Sequence, residues 1–166
     1  MIKFTFYIIC QTDIVPTDCL EILKADLPCG NSVVFQTNTL NAAMKRLLQY
    51  LCDLIPHSCV QYLPEDMVQD IAREDRQFLF ALERTGTKIS VERDSSVGKS
   101  FYARRRRHQH HIKNADYVLI IYDEMTTEIR NAIKYAEANA VAYKVICCAN
   151  SDEQGESYAN ATEVIH

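Results

Sequence analysis

The segment from Arg104 to Cys148 constrains the fold most. A basic run leads into an apolar strand, Tyr117–Tyr122, that ends on Asp123 and Glu124; an amphipathic helix and a second apolar strand over residues 143–148 follow without a long gap. Both strands are apolar at successive positions rather than alternate ones, so both of their faces are set for burial. Two such strands joined by one helical crossover pair in parallel inside a sheet covered on both sides. Ligands of open parallel sheets bind beyond the carboxyl ends of the strands, which makes residues 123–127 the first place to look for chemistry.

The rest of the chain repeats this alternation. Residues 2–10 are rich in β-branched and aromatic side chains and end at Gln11-Thr12-Asp13, the pattern of a buried central strand with a polar tip. Thr17-Asp18 opens a short helix that stops at Gly30. Ser32–Thr37 is a strand, after which Asn38 or Thr39 caps a helix with Leu40, Met44, Leu47, Leu51 and Leu54 along one side. Residues 58–63 form a strand ended by Pro64, residues 65–84 one charged amphipathic helix, and Lys88–Val91 a brief strand. The arginine run 104–107 begins or continues a helix through Ile112, and Thr126 or Thr127 caps another with Ile129, Ala132, Ile133 and Ala136 inward. The expected fold is α/β: a single-domain Rossmann-like, doubly wound, mainly parallel sheet of about five strands with helices on both faces. Residues 1–150 make up that domain, and residues 151–166 a polar tail that frays or docks as an edge strand.

Composition narrows the partners. With 166 residues, 48% apolar and 24% charged, the chain has material for one buried core. A net charge of −4 argues against a general nucleic-acid or membrane-surface binder, whose field is positive. Seven cysteines, an odd number without a CxxC pair, suit a reduced cytoplasmic protein that uses Cys as a small core residue. The apolar run after Lys3 is too short for a membrane helix, and no membrane partner is expected.

Candidate ligand contacts lie where strands give way to helices. The turn Gln36-Thr37-Asn38-Thr39 has the strand–turn–helix arrangement that offers backbone N–H groups to an anion, although without the glycines that allow close approach. Gly98-Lys99-Ser100 fails as a phosphate loop because the upstream glycine and a long leading strand are missing. The four arginines 104–107 point around a helix circumference, so only one or two reach any one site. They form either a solvated basic face or a source of guanidinium for a phosphate or carboxylate. His108, His110 and His111 do not share one helix face, and neither a metal nor a cofactor is expected. Glu128 at a helix start is explained by the helix dipole or by a role in the site.

Residues 102–136 resemble a known group. Arg107-His108, His111-Ile112, Ala115-Asp116, the apolar strand, Tyr122-Asp123, Thr126-Thr127 and Tyr135-Ala136 follow the pattern of the YpsA-like branch of the SLOG superfamily, Rossmann-like relatives of the LOG phosphoribohydrolases and the DprA DNA-processing proteins. The chain departs from that pattern at three loops: Cys10-Gln11-Thr12-Asp13, Gln36-Thr37-Asn38-Thr39 and Glu124-Met125 stand where the family carries glycine-rich turns. The resemblance implies a module that binds a nucleotide or nucleotide-derived small molecule, without turnover or with weak turnover, and forms a homodimer. Arg107 would pair with a phosphate; Gln11, Asp13 and Asp123 would contact ribose or base; Thr37, Asn38, Thr39, Thr126 and Thr127 would supply polar donors at helix starts. The alternative it implies is hydrolysis of the N-glycosidic bond of a nucleoside monophosphate, with Glu128 or Asp123 as the catalytic carboxylate. A third reading is a degenerate scaffold whose pocket is filled and which acts by association.

Overall fold

The computed structural model describes residues 3–28, 32–93 and 100–148, with the backbone of residues 160–164. The expected stop at Gly30 and the Gly98-Lys99 pair lie outside the described residues. In chain order the elements are β1 (Lys3–Gln11), α1 (Thr17–Lys24), β2 (Ser32–Thr37), α2 (Ala42–Leu54), β3 (Cys59–Tyr62), a 3-10 turn (Val68–Asp70), α3 (Arg73–Arg84), β4 (Lys88–Val91), α4 (Phe101–Asn114), β5 (Tyr117–Tyr122), α5 (Thr127–Ala138), β6 (Ala142–Cys147) and β7 (Asn160–Val164). The sheet runs β4-β3-β2-β1-β5-β6-β7.

Among the described residues six strands are parallel, one more than the about five expected. The brief Lys88–Val91 run is a full member that pairs Ile89 with Val60. The tail supplies β7, which docks antiparallel on β6 with Val164 opposite Tyr143. The chain therefore builds outward from β1 to β4, crosses back, and continues through β5 and β6 on the other side of β1. That reversal between β1 and β5 opens a crevice at the carboxyl ends of the strands.

β1 is apolar at every central position because it has a helical layer on each face. Phe6, Ile8 and Cys10 join Leu20, Leu23, Met44, Leu47 and Leu82 from α1, α2 and α3. Tyr7 and Ile9 face the other way, against Ile112 of α4 and Ile129, Ala132 and Ala136 of α5. β5 splits in the same manner, with Leu119 and Ile121 on the first side and Val118 and Ile120 on the second. Fully burying each such side chain contributes roughly 1.5–3 kcal/mol, which is why strand interiors tolerate so few polar residues.

Several helix boundaries depart from expectation. α2 begins at Ala42 and is capped by Asn41, whose side chain accepts from Met44 N, rather than by Asn38 or Thr39. The Thr37 hydroxyl donates to Thr39 O and accepts from Thr39 N, folding the backbone into a local turn that delays the helix. The expected helix over residues 65–84 starts only at Arg73. Ile71 and Ala72 are extended, and Ile71 packs on the core while the Arg76 guanidinium gathers the carbonyls of Val68, Gln69 and Ile71. α4 starts at Phe101 on the Ser100 cap, so the arginine run continues a helix already under way. For α5 the cap is Thr126, whose hydroxyl accepts from Ile129 N.

Candidate functional site

A cleft of about 200 Å³ lies at the carboxyl ends of β1 and β2. Backbone and side chains of residues 7–11 and of Asn38 and Thr39 form one side; Arg104, Arg107 and His108 of α4 and Glu128 of α5 form the other, and Glu65 closes the β3 end. The three α4 residues are spaced i, i+3 and i+4, which brings them onto one helix face.

Two polar networks shape this cleft. In the first, the Gln11 amide nitrogen donates to Glu128 Oε2 at 2.7 Å, and its carbonyl accepts from the Thr126 hydroxyl at 3.1 Å. The other Glu128 oxygen sits 3.4 Å from His108 Nε2. Burial depresses His108 below its ordinary value of 6.5, against the opposing pull of Glu128 and with help from the Arg107 charge. A neutral imidazole beside the Glu128 carboxylate therefore faces the cleft near pH 7.

In the second network, Glu65 accepts from two arginines. Its Oε1 lies 2.8 Å from Arg107 Nη2 and 3.0 Å from Arg104 Nε, and its Oε2 takes a further bond from Arg104 Nη2 at 3.2 Å. The Arg107 side chain is only 1% exposed, whereas that of Arg104 is 44% exposed. The bidentate Glu65 contact favours the charged Arg104, whose pKa is raised accordingly. At the floor, the Tyr7 hydroxyl donates to Asn38 Oδ1, and the Asn38 amide donates to Leu63 O at 2.8 Å. Two cations and two anions thus face one another, leaving the cleft nearly neutral and rich in hydrogen-bonding groups.

The residues expected from sequence divide into two sets. Gln11, Asn38, Thr39, Arg107 and Glu128 line the cleft. Thr126 acts behind Gln11. Thr37 is wholly buried and held in its turn; Asp13, Asp123 and Thr127 are exposed at the strand-tip edge and do not line the cleft. The Thr39 amide expected for an anion is occupied by Thr37 Oγ1 at 3.2 Å. Arg107, expected opposite a ligand phosphate, is paired with Glu65 instead.

The sequence does not single out Glu65, and it offers Arg104 only within the arginine run 104–107 and His108 only within the histidine cluster and the family pattern. Glu65 falls within the helix expected over residues 65–84, yet it stands just beyond the Pro64 that follows β3, on the ligand edge of a parallel sheet. The i, i+3, i+4 spacing of Arg104, Arg107 and His108 was the signal for the other two.

No protein-family model matches the chain, and no curated protein matches it.

Proposed function

We propose that this chain is a SLOG-like, YpsA-like module that binds a nucleotide or nucleotide-derived small molecule in the cleft between β1, β2 and α4. The observation that carries the reading is the cleft itself: an open space at the topological switch point whose charged and amide side chains converge on it. Gln11, Asn38 and Glu128 present donors and acceptors suited to ribose hydroxyls and base edges. Arg104, the more exposed guanidinium, is the contact for a phosphate, with Arg107 behind it. The crowded, glycine-free loops favour binding over turnover. The resemblance further suggests a homodimer, which sedimentation of the purified protein checks, and the cysteine usage suits a reduced, cytoplasmic setting.

Calorimetry with AMP, adenosine, ribose 5-phosphate and NAD tests this directly. At least one should bind more tightly than millimolar, and Arg104→Ala should weaken the phosphorylated ligands more than adenosine. Failure of every ligand to bind at millimolar concentration removes the reading.

One observation favours a second reading. Glu128 enters the cleft between an amide and a neutral imidazole, an arrangement able to activate water or stabilise an oxocarbenium-like centre. Release of adenine from AMP by the wild type, lost in Glu128→Gln, would make the module a phosphoribohydrolase; an inert wild type excludes it.

A further inference from the structure

On the sheet face away from α4 and α5, two thiols from opposite ends of the chain meet. Cys19 lies in the first turn of α1 and Cys148 directly follows β6, yet their Sγ atoms are 3.6 Å apart. Both residues are buried, at 0% and 7% exposure, among the side chains of the first core cluster. We propose that Cys19 and Cys148 are a native oxidative modification site that closes to a reversible disulfide under hydroperoxide.

The geometry needs little rearrangement. A disulfide holds its sulfurs at roughly 2.05 Å, so the two atoms must approach by about 1.5 Å, within reach of side-chain rotation and a small shift of one helix turn. The two thiols are also unequal. Their hydrogen bond lowers the Cys19 pKa despite burial and raises that of Cys148, which makes Cys19 the more readily deprotonated of the two. Cys10 stands nearby on β1, but burial drives its thiol up to about 12 and keeps it protonated.

The reaction balances with a hydroperoxide as oxidant. The Cys19 thiolate attacks the terminal peroxide oxygen; the O–O bond breaks, the leaving oxygen departs as water or alcohol once protonated, and Cys19 becomes a sulfenic acid. The Cys148 sulfur then attacks the Cys19 sulfur, its S–H proton goes to the departing hydroxyl, and water leaves as the S–S bond forms. Two thiols lose two electrons and the peroxide gains them. The product ties the start of α1 to the end of β6 across 129 positions of sequence, locking together the strand tips behind Cys10, itself a cleft-lining residue.

The test uses the full chain, reduced, desalted and exposed to hydrogen peroxide under native conditions. Free thiols should fall by two per chain, peptide mapping should recover a Cys19–Cys148 cross-link, and dithiothreitol should reverse it. The thermal midpoint should rise by roughly 5–15 °C in the oxidised protein, as expected for a cross-link closing a long loop. Cys19→Ser and Cys148→Ser should each abolish the two-thiol loss, while Cys147→Ser should leave it intact. Persistence of all thiols, a cross-link that maps to Cys10 or Cys147, or a bond that forms only after denaturation would each overturn the proposal; all three are read on the wild type, so none depends on a variant folding.

Discussion

The Glu65 carboxylate closes onto the buried Arg107 guanidinium at 2.8 Å, from a loop 42 residues earlier in the chain. The pair joins the tip of β3 to α4. Removing one member of a buried ion pair costs more than the pair is worth, because the other charge stays out of water. Glu65→Ala should therefore destabilise the protein by roughly 3 kcal/mol, read as a lower urea midpoint. A loss of about 1 kcal/mol or less, the worth of an exposed ion pair, would show that Arg107 does not depend on Glu65.

The same carboxylate competes with any anion for the two arginines. On the proposed function, Glu65→Gln keeps an acceptor but removes the rival charge, so a phosphate-bearing ligand should bind roughly tenfold more tightly, about 1.4 kcal/mol, while an uncharged nucleoside is unchanged. Parallel titrations of AMP and adenosine decide this. Equal affinity of wild type and variant for AMP would place the phosphate elsewhere.

His108 gives the protein an acid sensitivity of defined sign. Because burial holds its native pKa below 6.5, the unfolded chain binds more protons than the native state as pH falls through 6.5. Its contribution to stability is complete above that value and is lost between 6.5 and the depressed native value. The difference in unfolding free energy between wild type and His108→Gln should change with pH in that window and be flat at higher pH. A constant difference throughout would mean that His108 titrates alike in both states.

Asn41 does two tasks at the head of α2. Its oxygen caps Met44 N at 2.8 Å, and its amide reaches Cys10 O at 3.3 Å and Thr12 O at 3.4 Å, tying the helix to the tip of β1. Asn41→Ala should cost about 1–2 kcal/mol, and Asn41→Asp, which keeps the cap but not the amide bonds, should recover part of it. Chemical denaturation of the three proteins measures both steps.

The strands are legible because a parallel strand buried on both faces writes an unbroken apolar run: Tyr117–Tyr122 in the sequence coincides with β5 to the residue. The helix starts were less so, since caps compete. Thr37, Asn38 and Thr39 all carry capping chemistry, and the one that caps α2 is Asn41, because Thr37 closes its own turn first. The site was half legible. Gln11 and Glu128 stand out in the sequence on different elements for separate reasons, and the fold brings them to 2.7 Å. Asp123 stands at the end of β5, but the carboxylate that reaches the cleft from that side is Glu128, five residues on in the first turn of α5. Glu65 is hidden by the helical pattern of residues 65–84; in the fold Ile71 is extended and packs on the core, and α3 begins only at Arg73.

The doubly wound topology also sets an order of events during synthesis. Tyr7 and Ile9 lie in the first strand, yet their cover comes from Ile112 and Ile129, more than a hundred positions later. A chain emerging from the ribosome can assemble β1–β4 with three helices on one side, but the reverse side of its central strand stays wet until α4 and α5 have been made. Until then the nascent sheet exposes both that apolar side and the unpaired edge of β1, the edge β5 will occupy, so the interval before residue 129 is when this protein is most open to aggregation or to a chaperone.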